Sequence, residues 1–218
     1  MGSVKQVGTI LAVVDDGTPD VKEPRTRRLL LDTARELFYA EGIRAVGVDR
    51  IAAVSGVAKS TLYQHFRTKE ELVAAYLREW SACWRDTVAD QLAARGPDPA
   101  DRALAVFDLL DDAVRDPEFR GCPFINAGAE YPATPVVEAP VEDHRRWTTA
   151  LFTGLMDDAG APDAALVGDA LAQLHDGATV SAYLDGRLEA PARARQAAEL
   201  ILHAALPGRR HPPERTSR

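Results

Sequence analysis

A short stretch around residue 60 places chemically different side chains on opposite sides of one predicted helix. At about 100° per residue, the apolar residues fall on one side, which we expect to be buried: Ala58, Leu62 and Phe66. The outer side is small and hydrogen-bonding, with Ser60 and Gln64 opposite Leu62 and with Thr61 and Tyr63 at the flanks. Such a face fits a DNA major groove about 12 Å wide and can bond to base edges and phosphates.

Two lysines stand at the beginnings of predicted helices. Lys59 lies in the first turn of the helix just described, and Lys69 begins the next helix. A cation at this end opposes the helix dipole, at a cost of about 0.3–1 kcal/mol. A phosphate nearby would reverse that balance, so both positions favour contact with a nucleic-acid backbone.

The helices that must position these residues follow from apolar spacing and turn residues. Apolar residues at helical spacing predict a helix over 26–41, and Gly42 ends it. A second, short helix covers 48–54. Gly56 can adopt the positive φ of a sharp turn before the helix at 59–66, which is the pattern of a helix-turn-helix. Thr68 and Glu71 form a capping box that opens a long helix to about Arg95.

The rest of the chain predicts further helices and no sheet. Helical periodicity covers about 100–115, 141–159, 163–185 and 191–206, with a Gly/Pro-punctuated stretch over 120–140. Strand-forming residues are never concentrated at a period of two. The sequence therefore predicts an all-α protein.

Composition excludes several classes of protein. The 218 residues are 46% hydrophobic and 27% charged, and no apolar run approaches the roughly 20 residues of a membrane-spanning helix. Only two cysteines occur, Cys83 and Cys122, which argues against a disulfide-stabilised secreted fold and for a reducing, cytoplasmic compartment. No resolving cysteine lies near Cys122 in the sequence, so a redox switch is not predicted.

The net charge of −7 is unevenly distributed along the chain. Residues 22–80 contain eleven Lys/Arg and eight Asp/Glu, whereas residues 81–218 contain fourteen and twenty-two. A basic N-terminal segment can approach phosphate, while the acidic remainder repels it. The charge pattern therefore assigns a nucleic-acid partner to the N-terminal part alone.

Residues 25–72 resemble the DNA-binding domain of the TetR family of transcriptional regulators. The residues that carry the resemblance are in register: Ala34 to Phe38 with Gly42, Ile51-Ala52, Ser55 to Phe66, and Lys69 to Leu72. The resemblance implies an N-terminal three-helix helix-turn-helix domain at 24–70 and a C-terminal helical ligand-binding and dimerisation domain at 71–206. A disordered leader, 1–23, and a disordered basic tail, 207–218, are expected to flank them.

The resemblance also implies a homodimer that binds a palindromic operator in double-stranded DNA and responds to a small-molecule effector. The residues at matching DNA-contact positions are Lys59, Ser60, Thr61, Tyr63 and His65, with Lys69 at a backbone-contacting position. The chain departs from the family at Asp49, in a segment where Thr or Arg is frequent. Asp49 either accepts from a cytosine amino group or only caps its helix, and capping is favoured. Arg50 beside it is expected to take over a phosphate contact.

Two residues of the recognition helix keep an alternative role. Gln64 points outward and either contacts DNA or meets only solvent. His65 lies about 60° from the buried side and either contacts DNA or packs partly against the domain.

The helical remainder is expected to hold an apolar effector cavity with a few polar anchors. The candidate residues are Trp84, Phe107, Phe124, Asn126, Trp147 and His175, and core packing is the competing role for each aromatic ring. The acidic character of this half favours a cationic or uncharged effector over an anionic one. Metal-ligand spacing, a glycine-rich phosphate loop and a nucleophile–base pair are all absent from the sequence, so no metal, cofactor or catalytic residue is predicted.

The homodimer is expected to form through the last two helices. On the first, the predicted interface stripe is Leu171, Leu174, Ala178 and Ala182, with Gly177 beside it. On the second, it is Ala194, Ala197, Ala198, Ile201 and Ala205, with Leu202 at the margin. Small residues there allow close approach in a four-helix bundle across a two-fold axis.

These features predict a ligand-responsive DNA-binding regulator, a repressor that a small molecule releases from its operator, and not an enzyme. One alternative is a helical small-molecule-binding protein or enzyme without operator-specific DNA binding. The other is a protein-interaction module that uses the acidic helical half.

Overall fold

The computed structural model describes residues 24–206 and residue 208. All regular secondary structure in these residues is helical, which confirms the predicted all-α class. The helices are α1 (Arg25–Glu41), α2 (Val48–Ser55), α3 (Lys59–His65), α4 (Lys69–Ala94), α5 (Pro99–Ala113), α6 (Pro123–Glu130), α7 (Pro135–Asp158), α8 (Ala164–Leu184) and α9 (Ala190–Ala205). The expected leader at 1–23 and the expected tail, apart from residue 208, lie outside the described residues.

The chain forms two compact units. The first contains Asp112–Arg146 and the described residues up to Ala89, and the second contains Asp90–Asp111 and the described residues from Trp147 onward. Helices α4, α5 and α7 each contribute residues to both units. These units are defined by packing alone. The boundary expected after residue 70, between a DNA-binding domain and a ligand-binding domain, stays a prediction.

The first three helices pack as the sequence predicts. Leu30, Phe38, Ile51, Leu62 and Phe66 are buried together in the core of the first unit. Gly56 ends α2 with φ 70° and ψ 10°, the left-handed conformation that a residue without Cβ adopts most readily. The turn thereby brings α2 and α3 together as a helix-turn-helix.

The capping box at the start of α4 is present in altered form. The Thr68 hydroxyl accepts a hydrogen bond from the Glu71 N–H at 3.1 Å, as predicted. The Glu71 carboxylate accepts from the Arg67 N–H at 2.8 Å, one residue before the N–H that a capping box uses. Both side chains still satisfy N–H groups at the entry to α4.

Three local predictions need correction. Ala58 is exposed, because it precedes α3 as an N-cap with φ −60° and ψ 140° and the helical projection does not apply to it. The whole of α6 lies within the Gly/Pro-punctuated stretch 120–140, and α7 begins at Pro135 and not near 141. Pro123 and Pro135 are each the first residue of a helix. Proline is favourable there because the first N–H groups of a helix have no partner within the helix.

In the second unit, α8 packs closely on α7 and also against α9. A Cβ atom on Gly168 would lie 2.6 Å from the Thr153 backbone, so only glycine allows this approach of α8 to α7. Within the same unit Phe107, Phe152 and Leu171 are buried. None of the helices in residues 24–206 is long and apolar enough to cross a membrane.

The predicted dimer stripe was wrong, because much of it is buried inside the single chain. The buried members are Leu171, Ala178, Ala182, Ala194 and Ala198. They lie on helices α8 and α9, which pack against each other. Of the residues predicted on α8, Gly177 is exposed, and it lies on a neighbouring stripe of exposed residues: Leu166, Asp169, Gln173, Gly177, Val180 and Leu184.

Candidate nucleic-acid interface

Helix α3 exposes the polar side that its sequence predicts. Leu62 is fully buried, while Ser60, Tyr63 and Gln64 are exposed. Thr61 is half-buried at the flank of that face. The exposed fraction of Tyr63 is 42%, which is large for an aromatic residue. The outer side of α3 therefore offers hydroxyl and amide groups with an aromatic ring among them.

His65 is half-buried at the end of α3, between the two roles that its position allowed. Phe66 beside it is buried and has the Arg27 guanidinium 4.8 Å above its ring. This cation–π contact anchors the end of α3 to α1. The C-terminal end of α3 is thus tied to α1 and to the core, while Ser60, Tyr63 and Gln64 stay exposed.

The first-turn lysine of α3 has an intramolecular partner that sequence reasoning missed. Lys59 Nζ lies 2.7 Å from Asp49 Oδ1 on α2, and this bond raises the pKa of Lys59. The side chains are 50% and 81% exposed, so such a pair contributes little to stability. The predicted capping role of Asp49 was wrong, because Gly47 is the N-cap of α2 and no side chain of the described residues caps it. Asp49 lies in the first turn of α2 and acts as a counter-ion to Lys59.

The other predicted phosphate contacts are also paired within the chain. Arg50 donates to Glu41 Oε1 at 2.9 Å, between exposed side chains. Lys69 donates to the Ile43 carbonyl at 2.6 Å, and burial lowers its pKa. Each cation must share or exchange this partner when it meets a phosphate.

Three of the six effector candidates lie in the first unit, where packing explains them. Phe124 is buried, and its ring stacks on His144 with centroids 3.6 Å apart. Asn126 donates to the Arg120 carbonyl at 2.9 Å, and Trp84 packs against the core. Their part in effector binding stays a prediction.

The other three candidates, Phe107, Trp147 and His175, lie in the second unit. The ring centroids of Phe107 and His175 are 5.9 Å apart, and Phe152 lies 6.3 Å from His175. His175 as a residue is only partly buried, but both of its ring nitrogens are shielded from solvent and have no hydrogen-bond partner in the described part of the chain. Burial lowers the pKa of His175, and Asp176 offsets part of that effect. The imidazole is therefore held neutral beside two phenyl rings.

A groove of about 460 Å³ lies on the first unit between α4 and α7. Its lining includes two arginines and two aspartates, and Arg85 bonds to Asp143 at 2.7 Å across it. This polar groove differs from the apolar cavity that the sequence predicts. The described residues also contain no group of three or more His, Cys, Asp and Glu that could hold a metal ion.

Comparison with known proteins supports the assignment of α1–α3. Residues 30–76 match the family described as "Bacterial regulatory proteins, tetR family". The crystal structure of SCO4454, a TetR-family transcriptional regulator from Streptomyces coelicolor, is 37% identical, with a TM-score of 0.76 over 83% of this chain and 89% of that one. This chain belongs to the TetR family of transcriptional regulators. The match extends through the helical part beyond the helix-turn-helix.

Two curated TetR-type regulators are similar over different lengths. The transcriptional repressor KstR2 of Mycolicibacterium smegmatis is 26% identical over 151 residues, 66% of this chain and 73% of its own length. The transcriptional activator FasR of the same organism is 47% identical over 57 residues, 25% of this chain and 26% of its own. The sequence identity is thus higher over the 57 residues aligned with FasR than over the 151 residues aligned with KstR2. As in other TetR-family regulators, DNA binding is the activity of this chain.

Proposed function

We propose that this chain is a repressor that binds a palindromic operator as a homodimer and leaves it when a small molecule binds. The observation that carries the proposal is the exposed outer face of α3, with Ser60, Tyr63 and Gln64 on it. Hydroxyl, amide and aromatic groups on a helix held by a buried Leu62 can read base edges in a major groove. Lys59 and Lys69 stand where phosphate contacts would fix the register.

The apolar face on the last two helices supports dimer formation. The exposed fractions of Leu166, Leu184 and Leu200 are 65%, 72% and 68%. Gly177 lies mid-way along the exposed stripe of α8, and a Cβ there would meet no described residue within 4 Å. A second copy can therefore approach closely at Gly177 and cover the leucines in a two-fold interface.

The cluster of Phe107, Phe152 and His175 supports an effector site in the second unit. A buried polar group without a partner costs about 1–3 kcal/mol, so two unpartnered ring nitrogens need an explanation. A ligand hydroxyl or carbonyl group could bond to the neutral imidazole while its apolar part lies against the phenyl rings. The net negative charge of residues 81–218 also favours an uncharged or cationic ligand over an anionic one.

Two measurements test the proposed function. Selection of bound duplexes from a random DNA pool should recover a palindrome with half-sites about one helical turn apart. A panel of neutral, cationic and anionic compounds of matched size should then contain members that raise the melting temperature and weaken operator binding. Recovery of no preferred sequence would contradict operator binding. A ligand that strengthens operator binding would contradict release and indicate an activator or co-repressor mechanism.

A further inference from the structure

The loop between α1 and α2 is held by a residue far along the chain. Glu130, at the end of α6, accepts a hydrogen bond from the Ile43 N–H at 3.2 Å through Oε1. It accepts another from the Arg44 N–H at 2.5 Å through Oε2. Arg44 in turn donates from Nε to the Glu130 carbonyl, and its guanidinium lies 5.6 Å from the centre of the Tyr131 ring. One carboxylate thus binds two consecutive N–H groups of the loop.

The same loop is also held from the side of α4. Lys69 Nζ donates to the Ile43 carbonyl at 2.6 Å. The peptide group between Ile43 and Arg44 is therefore fixed at its N–H by Glu130 Oε2 and at its C=O by Lys69. Helix α2 begins at Val48, only a few residues further on, and leads through the turn into α3. The position of this loop consequently sets where the helix-turn-helix begins.

A second contact joins the segment before α6 to α1. The Tyr39 hydroxyl accepts from the Arg120 N–H at 2.9 Å and donates to the Gly121 carbonyl at 3.2 Å. Burial raises the pKa of Tyr39 to about 12, so the hydroxyl keeps its proton and remains a donor. Residues 120–131 are thereby attached to the DNA-binding helices at both ends.

We propose that Glu130 is a positioning residue for operator recognition, which acts by fixing the loop of Ile43 and Arg44 and through it the placement of α2 and α3. A carboxylate suits this task because its two oxygens accept from two N–H groups at once. A glutamine offers only one acceptor oxygen and turns its NH₂ group toward the other N–H. The inference rests on operator binding by α3, as proposed above.

Two variants separate position from charge at this site. Glu130→Gln removes the charge and keeps the length, whereas Glu130→Asp keeps the charge and withdraws the oxygens by one methylene. Glu142→Gln is the matched control, since Glu142 is an exposed carboxylate of the same unit. Affinity is measured for the selected operator and for an unrelated duplex of equal length.

If Glu130 positions the loop, both variants weaken operator binding by about fivefold, the loss of one or two hydrogen bonds. Binding to the unrelated duplex should stay constant for Glu130→Asp and stay constant or rise for Glu130→Gln, because a negative charge is removed. The control should change neither affinity by more than about twofold. Wild-type operator affinity in Glu130→Asp would overturn the inference. The inference would also be overturned if Glu130→Gln changed the affinities for the two duplexes by the same factor, since equal changes indicate a purely electrostatic role.

Amide hydrogen exchange gives a readout that needs no DNA. Exchange at Ile43 and Arg44 should accelerate at least fivefold in Glu130→Gln while the core amides of α4 keep their protection. Unchanged exchange at these two amides would overturn the inference. If exchange accelerates in Glu130→Gln but the wild-type protein selects no DNA sequence, Glu130 does hold the loop and it is the proposed function that is contradicted. If one variant fails to fold, the other decides both measurements.

Discussion

Among residues 24–206, helices α3 and α8 each leave one face exposed, but the two faces differ in chemistry. The exposed face of α3 carries Ser60, Tyr63 and Gln64, whereas the exposed stripe of α8 ends in Leu166 and Leu184. A polar face costs little in water and gains from specific hydrogen bonds, while uncovered leucines gain most from being buried. The contrast is what we expect if, as proposed above, α3 binds a nucleic acid and α8 packs against a second copy of the chain.

The largest expected loss of operator affinity comes from substituting the exposed leucines of α8 and α9. Leu184→Arg or Leu200→Arg places a charge among residues that we expect to bury in the dimer, and such a charge is costly to desolvate. The variants should sediment as monomers and bind the operator about 100-fold more weakly, because the two half-sites are no longer engaged together. Ala89→Arg, at an exposed position of α4, is the control. A dimeric Leu184→Arg protein would show that α8 does not form the interface.

The polar face should give a smaller and more selective effect. Tyr63→Ala should weaken operator binding by about tenfold, the scale of one lost base-edge contact. Binding to an unrelated duplex should change by less than about twofold, since phosphate contacts supply that affinity. Leu29→Ala removes an apolar side chain of similar exposure from α1 and serves as the control. Equal weakening on both duplexes would show that Tyr63 does not read sequence.

The helix-turn-helix was predictable because its determinants are local. Leu62 and Phe66 define the buried side of α3, and Gly56 supplies the turn, all within a dozen residues. What the sequence could not show was which cations already have partners. Lys59 pairs with Asp49 across the turn, and Arg44 meets Glu130 from 86 residues away. Such pairs depend on tertiary position, which residue spacing does not encode.

The second unit was harder to predict for a different reason. Helix α8 has leucines on two sides, although Asp169 and Gln173 also lie on the exposed one. Hydropathy alone therefore cannot tell the side that packs within the chain from the side left for a partner. Leu171 and Ala178 face inward, whereas Val180 and Leu184 are exposed. Much of the stripe of small residues predicted for the dimer interface is buried within the chain. Small residues also allow close packing between helices of one chain.

A substitution of His175 in the second unit tests whether this residue binds an effector or only packs in the core. His175→Leu removes two unpartnered buried nitrogens and should raise the free energy of unfolding by about 1 kcal/mol without ligand. The same change should abolish the response to a neutral effector that bonds to the imidazole. Leu174→Ala, one residue earlier on α8 and half-buried, is the control. Lower stability together with an unchanged ligand response would show that His175 is an ordinary core residue.

The pH dependence of stability sharpens that test. The pKa of His175 is lowered in the folded chain from its usual value of 6.5, so below about pH 6.5 the unfolded chain binds a proton that the folded chain does not. Wild-type stability should therefore fall as the pH drops below that value. The His175→Leu variant should lose less stability between pH 7.5 and pH 5.5, measured by urea unfolding. Parallel pH profiles would show that His175 is not held neutral.

The smallest expected effect separates the roles of Asp49. As the counter-ion of Lys59 it lowers the positive potential at the start of α3, and both side chains are exposed. Asp49→Asn should therefore raise affinity for operator and unrelated duplex alike, by about two- to fivefold at low salt, and steepen the salt dependence as Lys59 turns to a phosphate. Asp90→Asn, an exposed carboxylate near the end of α4, controls for net charge. If Asp49 accepts from a cytosine instead, the same change lowers operator affinity and relaxes preference at a single base pair. If it only stabilises the first turn of α2, melting temperature falls while both affinities stay constant.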